Sequence, residues 1–209
     1  MRLSLKTQKT IYLAVGTAMI VFEMVKQLVL TFYVGKGQYQ WFYFPFQLCS
    51  IPMYVSMTCG ITKKNRVYDA CTGFLSTFGL LGGICAFLDT SGFHYSVEAL
   101  TVYSYVWHVL LILLGLFSAF VRNNKSFFPG FIIFAAASLM AEAVNIIVTT
   151  CIGAEINMFY INLLVPTYQM AVRDAAERIG NTPAILLYWM SIVSGAYIIN
   201  AAEAHIKRN

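Results

Sequence analysis

Six apolar stretches follow one another along this chain, at roughly 10–34, 44–62, 67–88, 97–121, 127–151 and 183–205, with polar gaps between them. About 20 mostly apolar residues carry an α-helix across the hydrocarbon of a bilayer. Inside that hydrocarbon each backbone N–H and C=O must find a partner within the protein, and a helix supplies them along its own length. The pattern therefore predicts an all-α, polytopic membrane protein. It is a six-transmembrane-helix bundle, a single integral membrane domain over residues 1–209. Only 11 % of residues are charged and 59 % are hydrophobic, whereas soluble domains carry roughly 25 % charged residues. The mean hydropathy is +0.68.

A net charge of +5 could suggest a nucleic-acid partner. Its distribution argues against one, because the basic residues sit in the short gaps, where topology explains them. Arg2, Lys6, Lys9, Lys63, Lys64, Arg66, Arg122, Lys125, Lys207 and Arg208 fall on one side of a six-span arrangement. Lys36, Arg173 and Arg178 fall on the other, and Lys26 lies inside the first span. The asymmetry predicts both termini in the cytoplasm. The basic N-terminus followed by an apolar run resembles a signal peptide. The run continues to Val34 with Glu23 and Lys26 inside it, so it reads as a retained first helix.

The second stretch is short and opens on Phe44-Pro45-Phe46-Gln47-Leu48-Cys49-Ser50-Ile51-Pro52, and Pro52 predicts a kink in that helix. Gly79 and Gly83 have the spacing that lets helices approach closely, which reads as packing within the monomer. The gap from Ile152 to Thr182 is too long for a simple connection and too polar to span. It predicts a long outer loop or re-entrant segment, then a short surface helix near Ala171–Ile179. The five cysteines, Cys49, Cys59, Cys71, Cys85 and Cys151, show no CxxC spacing. They suggest neither a zinc site nor a disulfide framework, and packing suffices for each.

Polar groups inside spans are costly and mark function by default. Here they are Glu23, Lys26, His108 and Glu142, with Gln47 and Asn145 as uncharged companions. Glu23 and Lys26 are three apart and share a helix face, as do Glu142 and Asn145. Glu142 has no basic neighbour on its own helix, so His108 or Lys26 is its expected partner. All of these fall in the outer half of the bilayer or near its middle, close to Cys49. That predicts a single polar cavity, open outward and capped by the 152–182 segment, with a structural polar knot as the alternative. His108 is the one histidine placed mid-span, and it could serve Cys49 as a base.

Several segments resemble the YwaF-like family of integral membrane proteins. They are Glu23-Met24-Val25-Lys26, the FPFQLCSIP entry at 44–52, and Tyr105-Val106-Trp107-His108-Val109-Leu110-Leu111. Ala143-Val144-Asn145, the stretch GAEINMFYINLLVP at 153–166 and Gly180-Asn181-Thr182-Pro183 complete the series. Gln47 stands where the family has histidine, and Asn157-Met158 where it has Asn-Tyr. The resemblance implies a cysteine-dependent phospholipid acyltransferase of a bacterial plasma membrane. Cys49 would be the nucleophile and His108 the assisting base. Gln47, Glu23, Lys26, Glu142, Asn145 and Asn157 would line the supporting polar cavity. Membrane lipids would be the partners, as acyl-chain donor and lysolipid acceptor, and neither metal nor other cofactor is required. A lipid ester hydrolase would use the same residues with water as acceptor. The alternatives are a small transporter or ligand-binding membrane protein using the same cavity, or a structural subunit of a larger complex.

Overall fold

The computed structural model describes residues 3–166 and 170–206. Arg2, Lys207 and Arg208 of the charge pattern lie outside the described residues. Among those described, all regular structure is helical. Helix α1 runs Leu5–Val34 and starts at Ser4, whose hydroxyl accepts from the Thr7 N–H. Helix α2 is Ile51–Ile61. Helix α3 begins as Asn65–Phe74, passes through a π turn at Leu75–Gly79 and ends as Leu80–Cys85. Then come α4, Glu98–Val121; α5, Phe128–Ile152; α6, Met170–Ile179; and α7, Asn181–Ile206.

Four of these helices, α1, α4, α5 and α7, are long and apolar enough to cross a membrane. They turn large apolar side chains outward, such as Phe22, Leu28, Leu113, Leu139, Leu186 and Ile198, each more than half exposed. Such a surface suits lipid as solvent.

Helix α3 sits at the centre, packed by α2, α4, α5 and α7. Every residue from Cys71 to Leu80 is buried. A helix enclosed by other helices needs no lipid-facing side chains, so it can carry Thr72, Gly73, Ser76 and Thr77. Their hydroxyls bond back to the helix's own carbonyls, as Thr77 Oγ1 does to Gly73 O at 2.7 Å. A Cβ on Gly130 would lie 2.8 Å from the Gly73 carbonyl carbon, so α3 and α5 touch backbone to backbone there. The aromatic core stacks around the same level, with Phe78 and Phe134 rings 4.4 Å apart.

Two sequence expectations need correction. The second stretch is not helical from Phe44. Residues 44–50 form turns, with Ser50 N–H donating to Gln47 O at 2.7 Å, and α2 starts only at Ile51. Pro52 therefore stands in the first turn of α2, where a missing N–H interrupts no helical bond, and it produces no kink. With eleven residues α2 is also too short to qualify as a span by itself.

The chain reaches the surface at 151–153, at the end of α5, and folds back against the bundle. Gly153 closes the helix in the left-handed region at φ 71°. Residues 154–166 then run as irregular backbone among the helices, and Ile156, Asn157, Met158, Phe159, Ile161 and Asn162 are all buried. The expected short helix of this region is α6, which packs on α7.

Candidate functional site

Buried irregular backbone has N–H and C=O groups that no helix satisfies, and each must find a partner. Side-chain amides supply them here. Asn145, on the buried face of α5, donates to Met158 O at 3.1 Å and accepts from Met158 N–H at 2.6 Å. Gln47, in the turn before α2, donates to Asn157 O at 2.9 Å and accepts from Phe159 N–H at 2.8 Å. Asn157 accepts from Asn162 N–H at 2.9 Å, and Asn162 donates to Ile156 O at 2.6 Å. Glu142 accepts from Leu163 N–H at 3.1 Å and from Asn145 Nδ2 at 3.1 Å. Asn181, at the start of α7, donates to Asn162 O at 3.2 Å. Within this clasp Phe159 and Tyr160 adopt φ 56°, an uncommon conformation for bulky side chains.

The expected partner of Glu142, His108 or Lys26, is therefore replaced by Asn145 and the Leu163 N–H. Four residues expected to line a cavity, Gln47, Glu142, Asn145 and Asn157, instead hold the 154–166 backbone. Asn162 and Asn181 belong to the same clasp and escaped the sequence reading, since an asparagine between apolar segments looks like any loop residue.

Glu23 and Lys26 form a second group. Lys26 Nζ lies 2.8 Å from Glu23 Oε1, and both side chains are nearly enclosed. Gln27 Nε2 donates to Glu23 Oε1 at 2.8 Å and to Tyr43 O at 2.7 Å. The Tyr103 hydroxyl donates to Glu23 Oε2 at 3.2 Å, and Lys26 Nζ stands 5.9 Å from the centre of the Tyr103 ring. Four residues separate Glu23 from Gln27, one helical turn, so the i,i+4 contact was legible. Tyr103 gave no comparable signal.

His108 stands apart from both groups. Its Nδ1 donates to Ser104 O at 2.8 Å, which leaves Nε2 as the acceptor of the neutral ring. The imidazole stacks on Phe93 at 4.3 Å and meets Phe87 edge-on. The preceding residue points elsewhere, as successive helical residues must, about 100° apart. Trp107 Nε1 donates to Cys49 O at 3.0 Å. No hydrogen bond or ring contact joins Cys49 to His108 among the described residues.

Cys49 occupies the middle of these groups. It stands in the turn before α2 and is half-buried as a residue. Its sulfur lies within the range of charge interaction of Glu23, Lys26, Tyr95, Tyr103, Tyr160 and Tyr188. Burial pushes the Tyr95 phenol up, so this loop residue presents a neutral hydroxyl. Cys59 and Cys71 are buried, while Cys85 and Cys151 face outward. No group of His, Cys, Asp and Glu capable of holding a metal occurs among the described residues.

Comparison with known protein families, with curated proteins and with solved structures gives no match.

Proposed function

We propose that the chain is a membrane enzyme that transfers acyl groups between lipid esters through Cys49, near the headgroup level. In this reading α2 with its entry turn and α3 complete six spans, the 154–166 segment is re-entrant, and the lysine-rich end faces the cytoplasm. The observation that supports it is the setting of Cys49. This cysteine stands in the entry turn of α2, with the Glu23–Lys26 ion pair and tyrosine hydroxyls within charge range. A nucleophilic thiol needs a nearby base or positive charge to become thiolate, and Lys26 is the cation in range.

The chemistry balances with the residues present. A base must first take the thiol proton, the role this reading gives to His108 Nε2, and the thiolate then attacks the ester carbonyl. The C–O bond breaks, the glycerol alkoxide takes the proton from His108, and a Cys49 thioester remains. A lysolipid hydroxyl, or water, gives its proton to His108 and attacks the thioester. The C–S bond then breaks and the thiolate returns. A second reading, a structural subunit of a larger membrane complex without chemistry of its own, is favoured by one observation. Gln47, Glu142 and Asn145 are occupied by backbone, and His108 by Ser104 and Phe93.

The test is the purified chain in nanodiscs with a phospholipid labelled in its acyl chain. A hydroxylamine-labile label on Cys49, absent in Cys49→Ala, supports transfer. Lipid analysis of cells carrying wild type or Cys49→Ala is the companion measurement. No labelled thioester and identical acyl compositions would end the enzyme reading and leave the second.

A further inference from the structure

The opposite, lysine-rich end of the bundle carries charges that the Cys49 region does not use. Two of its cations are neutralised inside the protein. Arg122 lies 3.4 Å and Lys125 3.1 Å from Glu203 Oε2. Five others, Lys6, Lys9, Lys63, Lys64 and Arg66, form no ion pair among the described residues. The remaining carboxylate at this end, Asp69, borders a neighbouring groove beside Gln8 and Tyr68.

Two of these cations, Lys6 and Lys9, border one feature. Helices α1 and α2 cross in direct backbone contact, because a Cβ on Gly16 would lie 2.6 Å from Met57 N and one on Gly60 2.7 Å from Leu13 N. On the basic side of that crossing a cavity of about 450 Å³ opens, lined by Leu5, Lys6, Lys9, Thr10, Leu13 and Gly60. Lys9 Nζ is steadied by Thr62 O at 2.8 Å, at the turn that carries Lys63 and Lys64. Lys6 and Lys9 therefore border an open groove beside Leu5 and Leu13, with Lys9 Nζ also 5.7 Å from the centre of the Tyr68 ring and the Thr10 hydroxyl donating to Lys6 O at 3.0 Å.

We infer that this cavity is a binding site for the phosphate headgroup of an anionic phospholipid. Lys6 and Lys9 hold the phosphate, while Leu5 and Leu13 flank the first part of the acyl chains. A cluster of lysines at the end of a membrane helix attracts anionic lipid, each contributing roughly a fivefold gain in affinity. The apolar walls favour a lipid over a soluble phosphate, which would gain nothing from them. The site is independent of the chemistry proposed at Cys49.

The experiment uses the full chain in a neutral detergent, with native mass spectrometry counting lipids retained from an equal mixture of phosphatidylglycerol and phosphatidylcholine. The expected result is preferential retention of one phosphatidylglycerol. The Lys6→Gln, Lys9→Gln pair should weaken it by about 25-fold, since each lysine contributes about fivefold. The corresponding Lys→Arg pair should keep it, and Lys36→Gln at the other end should leave it unchanged. Leu13→Trp should reduce retention by filling the cavity without altering charge, which keeps the proposal decidable if the glutamine pair fails to fold. Equal retention of the two lipids, or wild-type retention by the glutamine pair, would overturn the site. Full displacement of the lipid by inorganic phosphate would replace the lipid with a soluble anion and overturn it as stated.

Discussion

Gln47 and Asn145 grip adjacent peptide units of one buried turn from two sides. Asn145 bonds both the N–H and the C=O of Met158, and Gln47 bonds the C=O before it and the N–H after it. A side-chain amide carries a donor and an acceptor at the spacing of a peptide group, so it can replace a missing strand or helix partner. This explains the glutamine in the proline-flanked entry to α2. It ties that entry to irregular backbone 110 residues away.

The clasp predicts the cost of removing it. Asn145→Leu keeps the side chain's approximate size, strands the buried Met158 N–H and leaves the Met158 C=O with the Ile161 N–H alone. Each lost bond should cost about 1–3 kcal/mol. Ser138→Ala, on the same helix, removes a hydroxyl that bonds only its own helix carbonyl and accepts from Trp189, and should cost far less. Thermal unfolding in detergent compares the two. Limited proteolysis should show new cleavage within 153–166 for Asn145→Leu alone.

The spans α1, α4, α5 and α7 were legible because apolar length is a one-dimensional signal. Helix α3 was legible as a segment but not as the centre. Its Thr72, Gly73, Ser76 and Thr77 look like dilution of a lipid-facing helix until the neighbours that cover them are known. The start of α2 was misplaced because aromatic residues continue the apolar run through turns whose hydrogen bonds do not register in hydropathy. Glu23 and Lys26 were legible as a pair from their spacing. The roles of Gln47, Glu142 and Asn145 were not, since a buried amide facing a ligand and one facing backbone have the same sequence. Arg122 was assigned to a surface gap by charge alone, yet it is 1 % exposed.

The α1–α2 crossing should not tolerate side chains. Gly16→Val and Gly60→Val would push Cβ and its branches into the Met57 and Leu13 backbone. Overpacking of this kind costs about 1–3 kcal/mol or more, because backbone and not a mobile side chain must give way. Gly92→Ala meets nothing within 4 Å and should leave the unfolding temperature unchanged. Measuring all three in one detergent checks the contact.

Arg122 should be among the most sensitive positions in the chain. It donates to Ser76 Oγ at 3.1 Å, Asn200 Oδ1 at 3.0 Å and the Ser126 carbonyl, joining the π turn of α3 to the ends of α4 and α7. Arg122→Met leaves Glu203 with only Lys125 and should cost about 3–5 kcal/mol, the usual range for breaking a buried pair from one side. Arg122→Met with Glu203→Gln removes the stranded charge and should recover part of that loss. Unfolding midpoints of the single and double variants give the comparison.

The Glu23–Lys26 pair allows a sharper version of the same comparison, because both partners lie on one helix and the pair carries no net charge. Glu23→Gln leaves the Lys26 ammonium nearly enclosed beside Tyr103 without its carboxylate, and Lys26→Met leaves the carboxylate with only Gln27 and Tyr103 as donors. Each single change should destabilise by about 3–5 kcal/mol. The double change Glu23→Gln, Lys26→Met leaves no buried charge, and Gln27 and Tyr103 can still bond the new amide. It should therefore be more stable than either single variant. That ordering separates an ion pair held for structure from two charges acting independently. Two independent charges would give a double variant whose loss equals the sum of the singles, and unfolding in detergent at one pH distinguishes the two outcomes.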